Sequence, residues 1–263
     1  MNSTPQDKAG RFRALHQGPR AIVIPNPWDA GSAKALEKVG FAALATSSGN
    51  AAMVLGRRDG QITRDEALAH AKAIVEAVDI PVAGDLENGF GDAPEFVAET
   101  IRLAGGIGLA GGSIEDASGD RERPLYALAQ ATERIAAAVE AARALPVPFI
   151  LTARCENFIR GNPDLDDTIR RLQAYAAAGA DVLFAPGLPT LDAVRTVCAA
   201  LDGKPFNFMV GIKGKSFSVA ELEAAGVRRI SLATSLYRRA MAALNKAALE
   251  VHGQGTFGYL DEM

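Results

Sequence analysis

The richest cluster of oxygen donors in this 263-residue chain is Asp85-Leu86-Glu87-Asn88. Carboxylates two residues apart on a strand project to the same side. Held that close they repel one another, and a hard divalent cation relieves the repulsion. Together with Glu115 from a neighbouring strand end, Asp85 and Glu87 point to Mg²⁺ or Mn²⁺ held partly through water, because oxygen donors without sulfur or imidazole select these ions. The other reading of the pair is as solvated loop charges. Arg154 closes the apolar run Phe149-Ile150-Leu151-Thr152-Ala153. Its guanidinium fork there either grips a substrate carboxylate or a developing oxyanion, or makes a structural ion pair with Glu156 or Glu115. Cys155 beside it reads as a small buried hydrophobe, since no histidine is expected near enough to activate it.

The chain has only three histidines, His16, His70 and His252, and none follows an expected strand. That argues against a histidine zinc site and against a Ser-His-Asp triad. Lys and Arg number 28 against 31 Asp and Glu, a formal charge of -3, so no positive field is available to hold a polyanion and nucleic acid is not an expected partner. Two cysteines, Cys155 and Cys198, make no disulfide framework and fit a reducing compartment. The first residues are polar with no apolar run after them, and no stretch approaches the roughly 18 apolar residues of a membrane span. The expectation is a soluble cytoplasmic protein that does not engage a membrane.

Elements must carry these side chains, and a composition of 48% hydrophobic and 22% charged residues can build a large aliphatic core. Helix-like runs ending in glycine and followed by short apolar runs recur at Gly40, Gly105, Gly179 and Gly226, the pattern of repeated βα units. Eight strands are expected, over 21–25, 42–47, 82–86, 109–115, 149–154, 182–185, 206–210 and 229–233. Helices are expected over 32–39, 64–78, 93–103, 127–144, 165–178, 191–201, 219–225 and 235–251. Eight alternations in this length argue for one (β/α)₈ TIM barrel over residues 1–263 with no internal boundary, an open doubly wound sheet being the alternative. Residues 1–20 read as a helix lidding the bottom of the barrel, and the Gly-rich apolar tail at 253–260 as a segment packed on a neighbour. Barrel sites lie at the C-terminal ends of strands. There the chain places Asn26, Trp28, Thr46, Ser47, Ser48, Gly49, Asn50, Asp85, Glu87, Glu115, Arg154, Asn157 and Asn207.

In order along the chain, Ile24-Pro25-Asn26-Pro27-Trp28-Asp29-Ala30-Gly31, Ala45-Thr46-Ser47-Ser48-Gly49, Asp59-Gly60, Asp85-Leu86-Glu87-Asn88-Gly89-Phe90-Gly91, Ser113-Ile114-Glu115-Asp116 and Thr152-Ala153-Arg154 resemble the isocitrate lyase and phosphoenolpyruvate mutase superfamily. The likeness spans most of residues 20–245. It implies a (β/α)₈ barrel that forms a homodimer or homotetramer by exchanging its C-terminal helix. It also implies Mg²⁺ (or Mn²⁺) holding a 2-oxo acid or its enolate. By position, Asp85 is then the main metal carboxylate, with Glu87 and Glu115 joining through water. Asp59 lies near metal and substrate, Ser47 with the Ser48 and Gly49 amides binds the substrate carboxylate, and Arg154 stabilises the enolate oxygen. Trp28 and Asn207 are further substrate contacts. The chain departs from the superfamily in two places. Glu87 stands where an aspartate is usual. The loop after Glu115, Ala117-Ser118-Gly119-Asp120-Arg121-Glu122-Arg123-Pro124-Leu125, lacks the Lys, Cys and His of the lyase gating loop and the Lys and Asn of the mutase loop. That argues against true isocitrate or methylisocitrate lyase activity, and leaves Arg121 and Arg123 as replacement positive charges.

The chemistry compatible with these departures is cleavage of a C–C bond in a small 2-oxo or 2-hydroxy dicarboxylate through a metal-stabilised enolate. The alternatives are P–C bond chemistry of the phosphonopyruvate hydrolase or carboxyvinyl-carboxyphosphonate phosphorylmutase kind, a Schiff-base aldolase using Lys213 or Lys215, and a barrel that binds oxo acids without turning them over.

Overall fold

A computed structural model describes residues 3–262. Helix α1 (Pro5–Gln17) precedes eight strands: β1 (Ile22–Ile24), β2 (Leu44–Ala45), β3 (Val82–Asp85), β4 (Gly111–Glu115), β5 (Ile150–Arg154), β6 (Val182–Phe184), β7 (Phe206–Met209) and β8 (Arg229–Ser231). Helices α2 (Ala30–Val39), α4 (Arg64–Ala77), α5 (Pro94–Gly106), α6 (Leu128–Arg143), α7 (Leu165–Ala177), α8 (Leu191–Ala199), α9 (Val219–Ala224) and α10 (Ser235–Gln254) alternate with them. A short α3 (Ser48–Val54) lies between β2 and α4.

All ladders are parallel, in the order β1-β8-β7-β6-β5-β4-β3-β2. Pairing of β1 with β8 excludes the open doubly wound alternative, in which the chain's first and last strands would not meet. The β1/β2 seam is closed mainly by one asparagine. Asn26 receives the Leu232 N–H on its Oδ1 (2.8 Å) and donates from Nδ2 to the Thr46 carbonyl (2.9 Å), with the Ala45 N–H bonding the Pro25 carbonyl (3.1 Å) alongside. This is a (β/α)₈ barrel. Among the described residues no helix is long and apolar enough to cross a membrane.

Two layers of packing hold it. Between strands and helices, α6 buries Ala131, Ile135, Ala138 and Ala142, spaced three to four residues apart. Inside the barrel, Phe12 of α1 is fully buried against Ile24, Ala43, Ala83, Ala110, Ile150 and Val182, so α1 plugs the N-terminal end as the sequence led us to expect. Gly40, Gly179 and Gly226 take left-handed φ values of 104°, 105° and 98° after their helices. The fourth expected stop is displaced: α5 continues through Gly105 and Gly106, and the left-handed residue is Gly108.

Candidate active site

At the C-terminal end of the barrel lies a pocket of about 220 Å³. Asp85, Arg154, Ser47, Ser48, Gly49, Asp59 and Asn207 line it, joined by Thr46, Thr152, Ser231, Arg229 and Arg238. The strand ends thus bring together most of the residues named from the sequence.

Asp85 terminates β3, and its Oδ2 accepts from both the N–H (3.0 Å) and the hydroxyl (3.1 Å) of Ser48. Ser48 is there because α3 starts directly after β2: Ser47 is the N-cap, its hydroxyl accepting from the Asn50 N–H (3.3 Å). The Ser48 amide is therefore committed to Asp85 rather than free for a substrate. The Gly49 N–H, in the first turn, has no intrahelical acceptor. A side chain would be tight here: a Cβ would stand 3.1 Å from Thr234 Cγ2, which would have to give by a few tenths of an ångström, and 3.6 Å from the Asp59 carboxyl. Asp59 itself is exposed at the rim.

The expected side-by-side projection of Asp85 and Glu87 does not hold. β3 stops at Asp85, and Glu87 adopts a left-handed φ of 48°, which breaks the strand's alternation and turns its side chain out of the pocket lining. Its Oε1 is buried without a hydrogen-bond partner, and burial, reinforced by the charges of Asp85 and Asp59, pushes the carboxyl up to about 8. The loop that holds this backbone, with Phe90 also left-handed at 62°, is stapled by Arg134 of α6. Fully buried, Arg134 donates to the carbonyls of Asn88, Gly91 and Asp92 and lies 4.2 Å over the Tyr126 ring.

Arg154 answers both of its sequence readings at once. It faces the pocket and it is ion-paired: Nε to Glu156, Nη1 to Glu115 Oε2 (3.3 Å) and to Asp85 Oδ2 (3.7 Å). Burial works against its charge, but Glu156, Glu115 and Asp85 outweigh it and hold the guanidinium protonated. Glu115 and Glu156 are raised, by burial first. Arg160, which sequence reasoning missed, bridges both, at 3.3 Å to Glu115 and 3.1 Å to Glu156. Glu156 is placed by its own N–H, which donates to Asp116 Oδ1 (2.8 Å), while Asp116 Oδ2 accepts from Arg171 (3.1 Å) and Tyr175 (2.6 Å).

Other expectations are corrected by geometry. Trp28 does not line the pocket, because its indole packs edge-on against Tyr237 of α10 (centroids 5.7 Å apart). Asn157 is turned inward, donating to Asp167 Oδ2 (2.9 Å). Arg121 and Arg123 lie outside the pocket on a loop that folds on itself through the Ala117–Leu125 bridge. Lys213 and Lys215 are also outside it, with Lys215 Nζ donating to the Gly187 carbonyl (3.3 Å), which removes the structural basis of a Schiff-base aldolase. Arg229 and Arg238 were missed. Arg229 carried a signal, being a charged residue in step with Ser231 on an otherwise apolar strand.

The pocket around Asp85 offers carboxylate, hydroxyl and amide oxygens and no imidazole or thiol, which suits Mg²⁺ better than zinc. Among the described residues no three His, Cys, Asp or Glu side chains are gathered as a ready ligand set. A Mg²⁺ ion at Asp85 would take one or two protein carboxylates and keep much of its water. The orphaned Glu87 Oε1 is an acceptor such a water would satisfy.

The model of the phosphoenolpyruvate phosphomutase family matches residues 12–252. The chain belongs to that family. Among its relatives, 2,3-dimethylmalate lyase of Eubacterium barkeri is 30% identical over 97% of this chain and 90% of its own length. The crystal structure of a lyase/mutase candidate from Burkholderia cenocepacia J2315 superposes with a TM-score of 0.95 and 52% identity, covering 98% of this chain and 92% of that one. Oxaloacetate acetylhydrolase in complex with its product oxalate superposes at 0.90 with 26% identity, covering 98% and 90%. This member of the phosphomutase family is an enzyme of the isocitrate lyase/phosphoenolpyruvate mutase superfamily, which cleaves C–C or P–C bonds.

Proposed function

We propose that the chain is a Mg²⁺-dependent lyase (Mn²⁺ serving equally) that breaks a C–C bond of a small 2-oxo or 2-hydroxy dicarboxylate by way of an enolate. The observation that carries this reading is Arg154, a guanidinium kept charged at the pocket wall by three carboxylates before any substrate arrives. Preorganised positive charge is what a developing enolate oxygen needs, since the site does not have to reorganise as the charge forms. Asp85 would hold the metal, with Glu87 and Glu115 reached through water, and the bound ion supplies Lewis-acid polarisation of the substrate's carboxylate and C2 oxygen. Ser48 orients Asp85 by its two hydrogen bonds. Ser47 and the Gly49 N–H receive the substrate carboxylate. Asn207 holds the inner wall, and Arg238 at the rim faces a second carboxylate. In a 2-oxo acid the C3–C4 bond breaks, C4 leaves as carbon dioxide and the electron pair moves through C3 to the C2 oxygen beside Arg154. In a 2-hydroxy acid the C2 hydroxyl gives up its proton, C2 becomes the carbonyl of the oxo-acid product, and the pair of the broken C2–C3 bond moves onto the carboxylate attached to C3 as the enolate. Asp59, exposed beside Gly49, stands where a proton can pass between substrate and solvent. The rewritten loop after Glu115 offers no acid to the product, so water protonates the enolate.

Two relatives are named for chemistry of this class, one acting on 2,3-dimethylmalate and one on oxaloacetate. The test is the purified chain with Mg²⁺ and a panel of oxaloacetate, 2,3-dimethylmalate and 2-methylisocitrate, with and without EDTA. Oxo-acid product that disappears with EDTA is expected; no product from any member overturns the reading. Because the matching family model is that of a phosphomutase, P–C cleavage is the second reading, and phosphorus NMR of phosphonopyruvate incubated with the enzyme separates the two.

A further inference from the structure

The chemistry at the pocket mouth leaves one charge unused. Arg229, the first residue of β8, is 4% exposed and lines the same cavity from deeper in the barrel, below Ser231. Its Nε donates to Asn207 Oδ1 (2.9 Å), and Asn207 Nδ2 donates onward to Ser231 Oγ (3.1 Å). Among the described residues the rest of its fork meets no acceptor, and no carboxylate pairs with it.

The other interior arginines are different. Arg134 has three carbonyls, Arg154 three carboxylates, and Arg171 the carboxylates of Asp116 and Asp167. A buried charge without a partner is costly, so an unpaired one facing a cavity implies a partner that arrives from outside. Burial lowers Arg229 only to about 9, so it is charged at neutral pH. Nothing beneath offsets it: His16 is held at about 4, by burial and then by the Arg229 charge. Ala45, Ala83 and Gly112 leave the interior walls short, which gives an incoming group room to descend.

We propose that Arg229 is an internal oxyanion receptor: the cavity continues past Asp85 and Arg154 and takes a carboxylate against the Arg229 fork. The ligand is then an acid with an anionic group at its inner end. That this acid is the substrate rests on the lyase reading; the receptor itself does not.

Sodium formate in EDTA is the probe, added to the full chain against chloride-matched salt and read by thermal shift and by diffraction from a soaked crystal. Because Arg238 and the Gly49 N–H at the mouth can also take formate, the receptor is read from the difference that the Arg229 and Asn207 substitutions make. Formate should stabilise the wild type saturably and appear bidentate on the fork. Arg229→Met should weaken its apparent affinity at least about tenfold, the scale of a charge-assisted hydrogen bond, and Arg229→Lys should restore part of it. If Arg229→Met does not fold, Asn207→Asp, which sets a carboxylate at the existing 2.9 Å contact, should fold and abolish formate binding. Asp85→Ala should keep formate binding while losing the response to Mg²⁺, so failure of the receptor and failure of the metal-lyase reading are told apart. An equal formate response in wild type, Arg229→Met and Asn207→Asp, or no saturable response in the wild type, overturns the proposal and leaves Arg229 a structural charge only.

Discussion

Arg154 and Arg160 together face Asp85, Glu115 and Glu156, two positive charges against three carboxylates. Each member of this cluster is sensitive to substitution in its own way. Arg154→Lys keeps a charge but loses the fork, so it should fold normally and lose about 10²–10³ in kcat/KM, the scale of one oxyanion donor. Arg154→Ala should also lose up to about 3 kcal/mol of stability, because the buried Glu115 and Glu156 are left with Arg160 alone. Steady-state kinetics and urea unfolding on the two variants separate these effects. Ser48→Ala removes one of two donors to Asp85 and leaves the backbone N–H, so Mg²⁺ affinity, read by calorimetry, should fall about tenfold. An unchanged affinity would mean that Asp85 does not hold the ion.

Among the elements, those that are short apolar runs bounded by turn signals were legible: all eight strands fall within their expected spans. The misses have physical causes. α3 is not among the expected helices because Ser48-Gly49-Asn50 has poor helix propensity; it forms because the Ser47 cap and the Asp85 carboxylate hold its first turn. Glu87 escaped the strand pattern because Arg134, 46 residues beyond Asn88 in another helix's core face, fixes the loop's backbone. Such long-range staples leave no local mark. The same holds for the lid: the expected placement of α1 at the barrel bottom says nothing of what it does to His16. Its Nδ1 bonds the Phe12 carbonyl (2.8 Å), its Nε2 is buried without a partner, and burial with the Arg229 charge depresses it to about 4. Between about 4 and 6.5 the unfolded chain therefore binds a proton that the native chain does not, so stability rises with pH across that window. The contribution is intact above 6.5 and is lost as pH falls toward 4, by up to about 3 kcal/mol. Thermal melts from pH 7.5 to 4.5 should show the decline, and His16→Gln should flatten it.

At the scale of the whole molecule, α10 does not behave like a barrel helix. None of its twenty residues is buried. Leu244 and Leu249 are 56% and 69% exposed, and Phe257 and Leu260 beyond it are exposed too. Leu244 and Val251 stand two turns apart on one face, and Leu249 lies about 140° round the helix from Leu244, so bare apolar surface is presented on more than one side. Its first turn is the exception, because Tyr237 packs on Trp28 and Arg238 reaches the pocket rim. A helix anchored at the site and bare along the rest calls for a second copy of the chain to cover it, in keeping with the exchanged C-terminal helix that the family resemblance implies. Light scattering should therefore give two or four times the 27.5 kDa of one chain. The double substitution Leu244→Glu and Leu249→Glu should reduce that to one chain while leaving the barrel's far-ultraviolet circular dichroism intact. It should also lower kcat/KM, because a frayed α10 no longer holds Arg238 at the rim. A wild-type chain that is monomeric at micromolar concentration would defeat the idea, and full activity in a monomeric variant would show that Arg238 is positioned by Trp28 and Tyr237 alone.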